Sequence, residues 1–234
     1  MMRRFPLLTI LAIIGLAIPA VAATKTYRLD VGRFDKLKIT DNVNVIYKTQ
    51  KDSIGMAVFT GEEEFADAFI FTNKKGTLLI QVNTDDVNNP ALPTLYVYSD
   101  YLTSVENSSD FKVTVHHSIP VPAFSVKQIG NGAIEAKGIN ATSVDAQLAT
   151  GKGVITVSGI CTKATCKMLG TGKIDAAGLE AISVQCNILG TGSIYCWPTE
   201  ELKTKGIGST EIYYKGNPEI KKTGGGHLYP LGNK

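Results

Sequence analysis

Beyond Arg33 the chain contains no arginine, so the cations of the remaining sequence are lysines and three histidines. A catalytic site that needed a permanent cation there would have to use lysine. An excess of charge of one sign is also missing. With Arg3 and Arg4 set aside, 22 basic side chains face 21 acidic ones, which gives no reason to expect nucleic acid or an anionic membrane as partner. The one strongly apolar run, Leu7 to Ile18, is shorter than the about 20 residues that span a bilayer, so no transmembrane segment is expected in the mature chain. No cysteine follows that run closely enough to signal a lipid anchor. The four cysteines show no C-x₂-C spacing of a zinc site, so no metal or cofactor is expected. No low-complexity linker divides the chain.

What is present begins with a leader. Arg3 and Arg4, the apolar run and the small residues Ala20-Val21-Ala22 form the pattern of a secretory signal peptide over residues 1–22. The mature protein is expected to start near Ala23 and to work outside the cytoplasm, in the periplasm or on the outer surface. About 210 residues can bury a substantial core.

The segment Met168 to Tyr195 contains Leu-Gly-Thr-Gly twice, twenty residues apart, each copy followed by one residue and an isoleucine. Related corners end at Ile134, Ile155 and Ile212, with Val113 upstream and Leu228 downstream. Repeats of 20–50 residues mark solenoids and related arrays. Before each corner, small or apolar residues alternate with polar ones, as in Val144, Ala146, Leu148 and Val184, Cys186, Ile188. That is the period of a half-buried strand. A second strand follows each corner, and glycine supplies the turn. Equivalent strands should stack in parallel about 4.8 Å apart. No coil has a core of its own, so stability comes from neighbours covering one another.

Residues 23–102 are rich in strands but not evidently periodic. "FDKLKI", "NVNVIYK", "GMAVFT", "AFIFT", "TLLIQVN" and "TLYVYS" predict strands, Asn73-Lys74-Lys75-Gly76 a hairpin turn, and "GEEEFADAF" a single helical turn or a loop. The expected fold is all-β: a right-handed parallel β-helix-like solenoid of about 20-residue coils over 103–230, with the 23–102 half packed on it in one domain, 23–234.

"FDKLKITDNVNVIY", "GTLLI" followed by "LYVYSDYLTSVENSSDFKV", and the successive G-x-G-x-I corners resemble the auto-transporter adhesin, head GIN domain family of Bacteroidetes and related bacteria. The resemblance covers nearly the whole mature chain. It implies a secreted all-β solenoid-like domain and carries over no catalytic residue. The Asn107-Ser108-Ser109-Asp110 and Gly206-Ile207-Gly208 corners depart from the family's usual serine-glycine pattern. Asp52-Ser53-Ile54 resembles a short acceptor motif for O-glycosylation in Bacteroidetes.

Candidate sites are few. Tyr195, Trp197 and Tyr213 should point outward on one face if Ile194, Cys196, Ile212 and Tyr214 point inward. Exposed rings on a rigid sheet make platforms for sugars or partner side chains. The competing account is that aromatics favour strands and cover the last coils. Cys166 and Cys186 lie one repeat apart in the inward register. They form either a disulfide between coils or a ladder of small apolar thiols, since in-register Cβ atoms about 4.8 Å apart exceed the 3.5–4.5 Å of a disulfide. Cys161 and Cys196 show no such relation. His116-His117 reads as a solvated loop pair, because adjacent strand residues face opposite ways; His227 reads the same way. Periodic positions build no column of carboxylates for acid–base or metal chemistry.

These readings favour a secreted, non-enzymatic envelope module that binds glycan or an envelope or host protein. A polysaccharide-active enzyme on a β-helix and a structural or sensing module are the alternatives.

Overall fold

The computed structural model describes residues 25–83 and 91–232. The leader expected over 1–22 lies outside them. In chain order the elements are β1 (Lys25–Asp30), β2 (Lys36–Ile39), β3 (Val45–Lys48), β4 (Met56–Gly61), α1 (Glu64–Ala68), β5 (Phe69–Lys74), β6 (Thr77–Val82), β7 (Leu95–Tyr98), β8 (Ser104–Asn107) and β9 (Lys112–His116). They continue with β10 (Val121–Ile129), β11 (Ala133–Thr150), β12 (Val154–Met168), β13 (Lys173–Ile188), β14 (Ser193–Gly206), β15 (Glu211–Tyr214), β16 (Glu219–Gly224) and β17 (His227–Pro230). Strands make up 65% of the described residues and helix only 4%, and about 6 turns of ~20-residue coils form a right-handed β-solenoid.

The predicted register appears directly in the pairing. Ile134, Ile155, Ile174, Ile194, Ile212 and Leu228 are consecutive partners in one parallel stack, extended upstream through Val113, Val45 and Leu95. The opposite wall carries Leu37, Val105, Val126, Ala146, Cys166, Cys186 and Thr204 one above another. All but the half-buried Leu228 are buried, and all but Leu228 and the polar Thr204 belong to one hydrophobic cluster.

Between these walls the long strands bend, with register breaks at Ala136/Ile139, Thr156/Ser158 and Ala176/Glu180. A short middle stack, Ile139–Gly159–Leu179, follows each bend. Gly159 there has φ +138, and a Cβ on it would strike the Ile139 carbonyl oxygen. The Leu-Gly-Thr-Gly corner is close-packed for a similar reason. A Cβ on Gly192 would overlap the Gly172 carbonyl oxygen of the coil before.

The N-terminal half packs on the solenoid by continuing it, in an order the sequence does not announce. Strand β2 lies between β6 and β8, and β3 lies between β7 and β9, all parallel. The chain therefore lays down an inner coil first, leaves it, adds the outer coil β6–β7, then returns to the other side. Antiparallel β5 covers β6, while β4 and then β1 cover β7. At that end the antiparallel strands β1 and β5, rather than the coil strands β6 and β7, form the outer edges. The predicted hairpin joins β5 to β6 with Lys75 at φ 51 and Gly76 at φ 75, as a two-residue type I′ turn requires. The "GEEEFADAF" segment is the single helical turn α1.

Asn107 takes over where a corner lacks glycine. Its amide Nδ2 donates to the Phe111 carbonyl (2.9 Å) and to Gln128 Oε1 (3.0 Å), and its Oδ1 accepts from the Ser109 N–H (3.1 Å) and Oγ (2.8 Å). Asn107 and Gln128 occupy an inward column that is otherwise Ile39, Leu148, Met168 and Ile188. A fully hydrogen-bonded pair of this kind avoids the penalty of a buried orphan amide.

Candidate functional site

Alternation along β14, β15 and β17 turns Ile194, Ile212 and Leu228 inward and Tyr195, Tyr213 and Tyr229 outward, in register. The rings stack. Tyr195 and Tyr213 have centroids 4.7 Å apart at 11°, and Tyr213 and Tyr229 are 5.2 Å apart at 26°. Lys173 Nζ sits 4.5 Å from the Tyr195 centroid and pairs with Asp175 at 2.8 Å, so a cation closes the upper face. The Tyr213 hydroxyl donates to Glu211 Oε2 (2.9 Å), and that carboxylate holds the phenol above its ordinary pKa.

This geometry changes how the rings can act. Their faces cover one another, so the ladder offers edges and a row of hydroxyls, with one free face at Tyr229. Trp197 lies apart. The register break places it opposite Glu180, and Lys215 Nζ stands 5.0 Å from its ring centroid while donating to the Ala177 carbonyl (2.8 Å). Of the three expected residues, the fold brings Tyr195 and Tyr213 together and leaves Trp197 outside their stack. Tyr229 was missed, although carrying the same alternation one coil further reaches it.

Cys166 and Cys186 are in-register partners in the core, and all four cysteines are free thiols. Cys196, for which the sequence suggested no relation, also meets Cys186: hydrogen bonds with Cys166 and Cys196, then burial, hold the Cys186 thiol well above its usual pKa. The connection runs across the interior between two walls, which a repeat spacing cannot reveal.

The histidine pair departs from expectation. His117 is 2% exposed, its ring lying between Tyr47 and Phe124, and its Nε2 accepts the Leu102 N–H at 3.3 Å. It is a core residue rather than a solvated one, and burial lowers its pKa. His116, its neighbour in the alternation, is exposed, as is His227. Ser53 is likewise buried, accepting from Arg28, so it is no open acceptor for a sugar.

The carboxylates of the outer columns are held by lysines. Glu135 pairs with Lys112 (2.6 Å) and Lys137 (2.7 Å), Glu106 with Lys38 (2.9 Å) and Lys127 (3.2 Å), Glu201 with Lys203 (2.6 Å) and Lys221 (2.8 Å). These contacts hold the three carboxyls below their ordinary range, Glu106 against the opposing effect of its partial burial. Among the described residues no group of three His, Cys, Asp or Glu side chains is placed to hold a metal ion. No helix among them is long and apolar enough to cross a membrane.

The molecule is thus a parallel β-solenoid whose outer columns carry paired charges and an aromatic ladder. The chain belongs to the family described as "Putative auto-transporter adhesin, head GIN domain", whose model matches residues 33–218. Solved structures share the fold, three of them as follows. A protein described as a putative adhesin from Bacteroides fragilis is 20% identical, with a TM-score of 0.76 over 89% of this chain and 97% of that one. A protein described as a putative lipid binding protein from Parabacteroides distasonis is 23% identical, with a TM-score of 0.70 over 89% and 97%. A putative adhesin from Parabacteroides merdae is 17% identical, with a TM-score of 0.63 over 89% and 96%. At these identities the likeness is one of fold. None of the curated proteins matches the chain.

Proposed function

We propose that this protein is an exported, non-enzymatic binding module of the cell envelope that holds a glycan or a partner protein along its aromatic ladder. The observation that carries the reading is the pre-stacked column Tyr195–Tyr213–Tyr229. Its rings are fixed before any ligand arrives, so little side-chain freedom remains to be lost on binding. Hydroxyls repeating at the coil spacing of about 4.8 Å suit a repetitive polar partner, and the outer face of Tyr229 is left for stacking on a sugar ring or an apolar side chain. Trp197 with Lys215 offers a second contact around the bend. Membership of the adhesin family supports the reading, and so do outer-column carboxylates already engaged by lysines.

The test incubates the mature protein with a panel of host and bacterial polysaccharides and scores retention together with new chain ends. Retention without cleavage, weakened in Tyr229→Ala and Tyr213→Ala, is the expected result. New chain ends, or retention indifferent to both substitutions, would overturn it.

A further inference from the structure

The leucine of each Leu-Gly-Thr-Gly corner stands outside the buried core. Leu169 is 44% exposed and Leu189 67%, and Ile207 continues the row at 78%. The fold uses only their backbones: the N–H groups donate to the carbonyls of Leu148 (2.9 Å), Met168 (2.8 Å) and Ile188 (2.9 Å). Any residue can make those bonds. The corner one coil earlier carries Thr150, and the one after Ile207 carries Gly225, whose N–H makes the same bond to Gly206. Three consecutive coils nonetheless hold a large apolar side chain in water. Such patches mark interaction sites.

Leu169 and Leu189 form one wall of an open groove of about 380 Å³, within the usual range of small-molecule sites. Ile188 and Gly206 also line it, together with the outward column Lys167–Asn187–Lys205. No carboxylate lines it. Lys167 is neutralised by Asp145 of the neighbouring coil, whereas exposed Lys205 has no ion-pair partner among the described residues. The groove is therefore an apolar strip with one free cation beside it.

We propose that this groove binds the acyl chain of a fatty acid, with the carboxylate on Lys205. The row of side chains repeats at the coil spacing, so three positions span about 10 Å. An extended alkyl chain laid along the axis touches each in turn. A second copy of the protein is a poor fit, because a stable interface needs about 800 Å² from each partner and a row one side chain wide falls well short. The free ammonium selects an anionic head over a neutral or cationic one.

The experiment titrates mature protein with dodecanoate, below its micelle limit, and with dodecyltrimethylammonium, by calorimetry and by leucine methyl NMR. Dodecanoate is expected to bind saturably at one site, shifting the Leu169 and Leu189 methyls, and to bind more tightly than the cation. Leu169→Ser with Leu189→Ser should weaken it at least about tenfold, equivalent to about 1.4 kcal/mol. Lys205→Glu should reverse the preference between heads, and as a change at an exposed side chain it keeps the test valid if the double variant unfolds. Lack of saturable dodecanoate binding, equal affinity for both heads, or binding only to phosphatidylglycerol vesicles would overturn the proposal. Loss of glycan retention in the tyrosine variants leaves these outcomes untouched.

Discussion

Replacing Ile174 by alanine removes three carbons from the centre of the isoleucine column. Ile174 is fully buried, with Ile155 on one side and Ile194 on the other. At about 0.8 kcal/mol per buried CH₂ the transfer contribution is about 2.4 kcal/mol. The cavity adds to it, because the flanking backbone cannot close in. Lys173 N–H and Ser193 N–H are tied to the carbonyls of Gly153 and Gly172, both at 3.1 Å, which fixes the coil spacing. A total of about 3–4 kcal/mol is expected, within the range for Ile→Ala in rigid cores. Leu228 occupies the same column in the last coil, half-buried and covered from one side by Ile212 alone. Leu228→Ala should cost only about 1.5–2 kcal/mol, since part of the side chain is already in water and a terminal repeat lacks one of its two neighbours, leaving no closed cavity. Urea unfolding followed by circular dichroism, on both variants and the parent, gives the comparison. If the two substitutions cost the same, the account of stability as stacked nearest-neighbour columns is wrong.

Four further outcomes follow from particular contacts. Asn107→Ala should destabilise by about 2–4 kcal/mol, because Gln128 Oε1 and the Ser109 N–H lose buried partners; a change below about 1 kcal/mol in urea unfolding would contradict the role given to the pair. Gly192→Val should prevent the native corner from closing, read as lost thermal cooperativity, since its Cβ would overlap the Gly172 carbonyl. Stability should fall as pH drops below about 6.5, because His117 has a lowered folded pKa and the unfolded chain takes up a proton that the native core resists. A second loss should begin below about 4.5, where the lysine-paired Glu106 and Glu135 have folded pKa values below their unfolded ones. His117→Gln should remove the first loss and spare the second in unfolding curves taken across pH. Maleimide should leave Cys186 unlabelled in the folded protein and react slowly at Cys161, whose thiol burial, then Cys166, pushes up to about 12. Intact mass after unfolding then counts the thiols: four labels mean none is paired, and two mean a disulfide such as Cys166–Cys186.

The coils from β10 onward were legible in the sequence because each coil pairs with the coil that follows it along the chain. A column of neighbours twenty residues apart needs only periodic spacing to specify it, and Ile134, Ile155, Ile174, Ile194 and Ile212 carry that spacing openly. The outward direction of Tyr195 and Tyr213 followed from the same alternation. The N-terminal coils were not legible. Strand β2 sits between β6 and β8, so its neighbours are separated from it by very different lengths of chain and no constant period connects them. The same limit hid the meeting of Cys186 with Cys196 and the burial of His117 between Tyr47 and Phe124. These contacts cross the interior, and a one-dimensional pattern records only which way a side chain points.

For the surface, the sequence determined which side chains recur and the tertiary structure decided what they leave exposed. Stacking turned three tyrosines from open faces into a ladder of edges, because parallel register sets their rings one coil apart. It also separated Trp197 from them through a register break at a bend. The repeated leucines carried the clearest sequence signal of all, and periodicity assigned them to a corner. Only the fold, which satisfies that corner with backbone and threonine hydrogen bonds, left Leu169 and Leu189 facing water beside Lys205.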